Sequence, residues 1–254
     1  MVSFLLEGGH FVWEEKMKSI QCILTPEQGK KLIARAVLCR ADVQEAAREH
    51  TLVVVAGSTN APIAQALLEE RGLPFDPSSF LRGAIRPADC KPGQLMGDVI
   101  IRKGEYLPGK TILDIADELG RGDVILKGAN AVHLPAKEAA VLIGSPVLGT
   151  AGALMPAVVG RHAKLLVPVG VEKRIDLPIH EASRLMNAPD HNGTGLLPLP
   201  GEVITELDAF ETLCGVTARL TAAGGIWGCE GAAVFVLRGE ADTLERSRAL
   251  LERI

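Results

Sequence analysis

Four short loops of small and polar residues follow apolar segments of this 254-residue chain, and they carry its most plausible chemistry. The first follows the apolar run at 51–56. Its backbone N–H groups and hydroxyls are suited to binding an anion at the start of a helix. An ordinary strand–helix turn, with Asn60 capping the helix, explains the same residues. The candidate ligand-binding residues of this loop are Gly57, Ser58, Thr59 and Asn60.

The second and third loops offer further anion ligands. Lys127 ends an apolar segment, where a cation is costly unless it binds an anion or reaches solvent. The loop at 144–152 is rich in Gly and Pro but matches neither a P-loop nor GxGxxG. A solvent-facing lysine and tight helix packing are the alternative explanations. The candidate ligand-binding residues here are Lys127, Gly128, Asn130, Gly149 and Thr150.

The fourth loop supplies the candidate catalytic residues, Glu172 and Lys173, directly after Gly170. A carboxylate beside cations can act as an acid, a base or an orienting group. A solvated charge cluster is the more ordinary interpretation. No sequence pattern identifies a cofactor, which therefore stays unknown.

Histidines and cysteines show no metal-ligand spacing. The six histidines form no HExxH pattern, and the five cysteines form no CxxC pair. We therefore expect no metal site and no disulfide framework. Reduced thiols are typical of a cytoplasmic protein.

Apolar runs alternate with helical patterns along the first two thirds of the chain. Strands are predicted at 51–56, 98–102, 123–127 and 164–169, with a short one near 82–85. This order predicts an α/β fold, with a Rossmann-like, mostly parallel sheet flanked by helices. Ligands bind beyond the carboxyl ends of such strands, so the four loops are expected at that edge.

The last third of the chain has a different organisation. After a break rich in Gly, Pro and Asn at 187–201, the pattern is βαββα. It predicts a C-terminal ferredoxin-like α+β subdomain at 201–254, beside a Rossmann-like α/β domain at 17–190.

The first 16 residues differ in composition from the rest and hold three of the nine aromatic residues. Glu14-Glu15-Lys16, just before Met17, can be encoded by a purine-rich stretch like a ribosome-binding site. We expect 1–16 to be a non-native N-terminal extension. An arm that covers a neighbouring subunit is the alternative.

Composition restricts the partners. The net charge is −4, so a general nucleic-acid binder, which needs a basic face, is not expected. Aromatic residues make up only 4%, too few for platforms that stack bases or sugars. The apolar run of the N-terminal segment is too short for a membrane span.

We expect a homo-oligomer that binds a small anionic metabolite, without nucleic acid or membrane. Trp227 is the aromatic residue most expected to contact a ligand or partner, with plain packing as the alternative.

Three segments carry a resemblance to a known superfamily. They are AGSTNAPIAQALLEE, DVILKGANAV and KLLVPVGVEKRIDLP, within about residues 51–175. They resemble turns of the ribose-5-phosphate isomerase, glucosamine-6-phosphate deaminase and CoA-transferase superfamily, including its lactate-utilisation domains. The whole chain resembles an uncharacterised prokaryotic family that combines such turns with the segment AAGGIWGCEGA.

The resemblance implies an isomerase or transferase acting on a phosphorylated or CoA-linked metabolite. The isomerases need a carboxylate to move a proton, yet Asn130 stands where their Gly-Ala-Asp turn would supply one, and an amide cannot act as a base. Glu172 and Glu230 are available as nucleophiles but lie outside the Ser-Glu-Asn-Gly pattern of CoA-transferases. The resemblance therefore predicts the fold of this chain better than it predicts the catalytic residues. A non-catalytic metabolite sensor is the alternative function.

Overall fold

The computed structural model describes residues 6–7, 10–11, 18–86, 89 and 95–254, with side chains from residue 18 onward. The strands are β1 (Leu6–Glu7), β2 (His10–Phe11), β3 (Lys18–Leu24), β4 (Thr51–Val54), β5 (Val99–Arg102), β6 (Glu105–Tyr106), β7 (Val124–Leu126), β8 (Ala131–His133), β9 (Glu138–Ile143), β10 (Lys164–Pro168), β11 (Gly195–Pro198), β12 (Glu202–Ile204), β13 (Thr217–Gly224) and β14 (Ala232–Gly239). The helices are α1 (Pro26–Leu38), α2 (Ala41–Glu49), α3 (Ala61–Glu69), α4 (Ile112–Ile115), α5 (Gly149–Met155), α6 (Ile179–Met186), α7 (Glu206–Cys214) and α8 (Ala241–Leu251).

The predicted extension falls largely outside the described residues. Within it, the structure describes only β1 and β2, which pair with each other in antiparallel fashion. The question of the native start therefore stays a prediction.

A six-stranded sheet forms the centre of the molecule, in the order β12-β10-β7-β4-β5-β6. The first four of these strands are parallel neighbours, whereas β5 is antiparallel to β4 and β6 is antiparallel to β5. All four residues of β4 and all three of β7 are buried, as expected for β-branched and aliphatic runs covered on both faces. The α/β class and the mostly parallel sheet are confirmed.

Helices cover both faces of this sheet. On one face, α1, α2 and α3 pack against alternate strand residues such as Leu52, Val54 and Leu126. On the other, α4 and α5 pack against Val53, Val55 and the residues beside them. The start of α1 is fixed by the predicted capping box, in which Thr25 accepts from the Gln28 N–H and Gln28 accepts from the Thr25 N–H.

Two smaller sheets are antiparallel. One has the order β11-β9-β8 and packs against α6. The other has the order β13-β14-β3 and packs against α7 and α8. The long hairpin of β13 and β14 is thus completed by a strand from the beginning of the described chain, with Leu24 opposite Ala233.

Several sequence predictions were wrong in detail. The segment 82–85 is not a strand. The strand predicted at 98–102 exists as β5, but it runs antiparallel to β4. Its first residue, Val99, pairs with Val54, the last residue of β4. The first strand assigned to the C-terminal pattern, β12, pairs in parallel with β10 in the large sheet. The boundaries proposed for the two domains stay a prediction. Among the described residues, no helix has both the length and the apolar character needed to cross a bilayer.

Candidate functional site

The carboxyl ends of four parallel strands meet at one edge of the large sheet. Beyond β4 come Gly57 to Asn60, beyond β7 come Lys127 and Gly128, and beyond β10 comes a 3-10 turn at Val171–Lys173. Beyond β12, the edge strand, the chain enters α7 at Glu206. Because β5 is antiparallel, the residue before it, Asp98, lies at this same edge. Three of the four predicted loops are therefore brought together.

The turn after β4 is held by its own side chains. Asn60 is buried, and its side-chain amide donates to the carbonyls of Val55 at 2.9 Å and Leu126 at 3.0 Å. It thereby joins the ends of β4 and β7 rather than capping α3. Its Oδ1 atom accepts no hydrogen bond from the described residues. Ser58 is exposed, whereas Thr59 is buried.

Lys173 connects two of the predicted loops directly. Its ammonium group donates to the Thr59 hydroxyl at 2.9 Å, across the end of the strand that separates β4 from β10. Burial lowers the pKa of Lys173, although the nearby Glu172 carboxylate favours its charged form. The side chain is half-buried and, among described residues, has no carboxylate within ion-pair distance.

Lys127 is the second half-buried lysine at this edge. Burial lowers its pKa to about 8; Asp98 opposes the shift, and Arg82 and Lys173 increase it. The adjacent Gly128 lies against Thr59, since a Cβ there would be 3.9 Å from the Thr59 Cβ. The lysine and the Thr59 turn therefore belong to one local site.

Asp98 is a fully buried carboxylate that sequence reasoning missed. It accepts from the backbone N–H groups of Ala56 at 2.8 Å and Ile112 at 2.7 Å, and from the Arg82 guanidinium at 3.1 Å. It therefore ties the end of β4 to the start of α4 and holds Arg82 beside the first loop. The sequence signal was a lone acid directly before the apolar run VIIR.

Glu206 is the second buried carboxylate that sequence reasoning missed. Its Oε2 accepts from the Val171 N–H at 2.8 Å, which anchors the turn that carries Glu172 and Lys173. Burial raises the pKa of Glu206 to about 7, against the hydrogen bonds from its own N–H and that of Val171. Gly29 of α1 packs against this carboxylate, leaving no space for a side chain. In the sequence, Glu206 is indistinguishable from an ordinary acid in the first turn of a helix.

Glu172 lies close to the backbone of its own turn. Its carboxylate packs over Gly170, where a Cβ would collide with it. Its charge acts on both Lys173 and Glu206. Glu172 is thus a partly exposed carboxylate beside Lys173, whereas Glu206 is buried.

The third predicted loop is not at this edge in the expected way. Gly149 and Thr150 begin α5 after β9, which belongs to an antiparallel sheet rather than to the parallel one. The side-chain oxygen of Asn130 accepts from the Leu142 N–H at 3.0 Å, which binds it to β9. The expectation that this loop follows a parallel strand was wrong, because β8 and β9, which lie between β7 and the loop, pair with each other in antiparallel fashion.

The C-terminal Gly-rich turn is exposed. Trp227 connects β13 and β14 with 93% of its surface exposed and a backbone φ of 54°. Glu230 accepts from the Gly228 N–H at 2.9 Å within this turn. Gly231 lies against Pro26 at the start of α1. Neither Trp227 nor Glu230 is packed into the strand-end site.

A cavity of about 320 Å³ lies elsewhere, along β12 between α1 and α7. Two of its charged residues, Arg40 and Glu202, pair at 2.7 Å near the amino ends of the strands, and Arg40 also pairs with Asp42 at 2.8 Å. Lys164, the first residue of β10, pairs with the same Asp42. These ion pairs occupy the opposite edge of the sheet from Lys127 and Lys173.

Within the described ranges, no group of three or more His, Cys, Asp or Glu residues is arranged to hold a metal ion. Comparisons with protein-family models, curated protein sequences and solved structures gave no match to this chain.

Proposed function

We propose that the carboxyl edge of the parallel strands binds a small phosphorylated or CoA-linked anionic metabolite. The observation that carries the proposal is the pair Lys127 and Lys173, two half-buried cations without a carboxylate ion pair among the described residues. Placing a cation away from water costs free energy unless an opposite charge compensates it. A bound anion would provide that charge.

Neighbouring groups support the same ligand chemistry. Thr59 supplies a hydroxyl that is bonded to Lys173, and Arg82 adds a third cation beside the first loop. A guanidinium and two ammonium groups around small residues suit a phosphate better than a neutral or cationic ligand. We propose that the large sheet is Rossmann-like, a type of sheet whose ligands bind at this edge. We propose likewise that the β13–β14 unit is ferredoxin-like.

As an isomerase or transferase, the protein would use Glu172 and Lys173 as its reactive groups. Glu172 is the acid of the predicted catalytic pair, and its charge acts on Lys173. As a non-catalytic sensor, the protein would bind the same anion without turnover. The sensor is favoured by the engagement of both buried carboxylates, Asp98 and Glu206, with backbone N–H groups.

We further propose a cytoplasmic homo-oligomer. Cys22, Cys39, Cys214 and Cys229 are free thiols, which supports a reducing compartment. Burial raises the pKa of the Cys22 thiol to about 11, so it would stay protonated and unreactive.

The test is a thermal-shift screen followed by isothermal titration calorimetry. Inorganic phosphate, sugar phosphates, CoA esters and nucleotides are added in turn to the wild-type protein and to Lys127→Met and Lys173→Met. A ligand that binds only the native state raises the melting temperature. We expect at least one anion to stabilise the wild type and to bind each variant about tenfold or more weakly, the loss expected for one charge-assisted contact.

The matched control is Lys18→Met, which removes an exposed lysine at the start of β3. This variant should bind as the wild type does. If no anion raises the melting temperature, or if Lys18→Met weakens binding as much as Lys127→Met, the proposal fails.

A further inference from the structure

Lys127 has an unusual position for a lysine. It follows β7, an inner strand of the large sheet, so loops from both neighbouring strands surround it. Its backbone N–H still continues the sheet, donating to the Leu166 carbonyl at 3.0 Å. Alternation along β7 directs its side chain to the face of the sheet on which Ile125 packs. The side chain of Lys127 therefore leaves the backbone on an apolar face of the sheet and is half-buried at the strand edge.

The charges around Lys127 come from three separate segments. Asp98, before β5, is the acid among them, and its two oxygens already accept from two backbone N–H groups and Arg82. Arg82 and Lys173 are the cations. Their repulsion and the shortage of solvent both favour the neutral amine. These influences hold the pKa of Lys127 at about 8, so a substantial neutral fraction exists near neutral pH.

A neutral lysine amine beside other cations is a good nucleophile toward carbonyl groups. We propose that the Lys127 ε-amine forms an imine with the aldehyde or ketone group of an anionic carbonyl metabolite whose charged group is held by Lys173 and Arg82. This inference rests on the proposed anion site and assigns it a substrate class: phosphorylated or carboxylated carbonyl compounds.

The step needs no oxidant or reductant. The Lys127 nitrogen adds to the carbonyl carbon, which forms a C–N bond. The C–O bond breaks, and the carbonyl oxygen leaves as water after gaining two protons, both of which the amine nitrogen gives up in the net balance. The product is an imine between Lys127 and the former carbonyl carbon, and addition of water reverses the step. Water at the strand edge carries these protons from nitrogen to oxygen.

The test traps this imine with a probe. Pyridoxal 5′-phosphate, an aldehyde that carries a phosphate, is added to the full chain at pH 7, and borohydride then reduces any imine to a stable amine. Peptide mass spectrometry locates and quantifies the phosphopyridoxyl group. We expect Lys127 to be labelled at least about tenfold faster than the exposed Lys18 and Lys110, because a larger fraction of its amine is neutral at pH 7.

Two controls separate the imine from the anion site. Inorganic phosphate should slow the labelling of Lys127 by competition. Lys127→Arg keeps the positive charge but cannot form an imine, so it should abolish labelling at this position while weakening phosphate binding less than Lys127→Met does. Melting curves of both variants establish that they are folded.

Each result has a distinct meaning. Labelling spread over exposed lysines with Lys127 unmodified, in protein that phosphate still stabilises, overturns the imine and leaves the anion site standing. Labelling of Lys127 that phosphate does not slow overturns the assignment of an anionic substrate and counts against the proposed function as well. Rapid labelling of Lys127 that phosphate suppresses supports both.

Discussion

The Lys173 ammonium group lies 2.9 Å from the hydroxyl oxygen of Thr59, so the turn after β10 is bonded to the turn after β4 over the end of β7. This contact joins two loops that are far apart in the sequence. It also fixes a cation beside the backbone of the first loop. The geometry of the candidate site therefore depends on a hydroxyl that would otherwise look like a minor core group.

Replacing Thr59 with Val should separate the hydrogen bond to Lys173 from the packing of the Thr59 side chain. The isosteric change keeps the buried volume but leaves Lys173 without its acceptor. We expect the free energy of unfolding to fall by about 1–2 kcal/mol, the usual effect of an unsatisfied half-buried donor. Urea denaturation measures it. The neighbouring Ser58→Ala, at an exposed position, should change stability by less than about 0.5 kcal/mol, and an equal effect of both changes would contradict the assigned contact.

Replacing Asp98 with Asn should destabilise the edge of the sheet more strongly. The amide retains one acceptor oxygen but turns an NH₂ group toward backbone donors and loses the charge that pairs with Arg82. We expect a loss of about 3 kcal/mol in the free energy of unfolding, measured by chemical denaturation. Asp117→Asn, at an exposed position, is the control and should be nearly neutral. A small effect at Asp98 would mean that its three contacts are not maintained in solution.

Glu206 should make stability fall as the pH rises. Its folded pKa, about 7, lies above its ordinary value of 4.5, so between these values the folded state binds more protons than the unfolded state. The Glu206 contribution is therefore most favourable below pH 4.5 and is lost by about pH 7, a change on the order of 3 kcal/mol. The lowered pKa of Lys127 acts above pH 8 and in the opposite direction.

The measurement is the free energy of unfolding from pH 5 to pH 8 in the wild type and in Glu206→Gln. The Gln side chain keeps an acceptor for the Val171 N–H but cannot titrate. The variant should lack the decrease seen in the wild type. Glu45→Gln, an exposed change, should retain it. Parallel curves for the wild type and Glu206→Gln would show that burial does not shift this carboxyl group.

Gly29→Ala should be destabilising although Ala is the better helix former. A methyl group there would collide with the Glu206 carboxylate, and moving that carboxylate would disturb its bond to Val171. We expect a loss of about 1–3 kcal/mol, as for other overpacked sites, and a lower melting temperature. Gly160→Ala, where a Cβ meets open space, should be neutral or slightly stabilising. If Gly29→Ala and Gly160→Ala raise the free energy of unfolding equally, Gly29 does not pack against the Glu206 carboxylate in solution.

The large sheet was predictable because each of its inner strands consists of a continuous run of apolar residues. Residues 51–56, 123–127 and 164–169 predicted β4, β7 and β10, and the small residues after them predicted where Thr59, Lys127 and Lys173 lie. Strand direction was less predictable. Nothing local to Val99–Arg102 distinguishes a parallel from an antiparallel neighbour, since the connection that decides it is a long loop.

The supporting side chains could not be found in the same way. Arg82, Asp98 and Glu206 are separated by many residues, and their burial arises only when distant strands meet. The strand β3 left a visible signal: Ile20, Cys22 and Leu24 alternate with more exposed residues. The exposed Ile23 weakens that alternation, and the pairing partner lies near the other end of the chain.

The pairing of β3 with β14 has a consequence for biosynthesis. The ribosome makes β3 long before β14, the strand that pairs with it and places Ala233 opposite Leu24. Closing so long a loop is slow, because its entropy must be lost before the pairing is gained. Until then, Ile20, Cys22 and Leu24 have no sheet to cover them. While the residues between β3 and β14 are synthesised, the nascent chain therefore carries an unpaired, aggregation-prone strand. A chaperone that shields residues 18–24 should raise the yield of native protein.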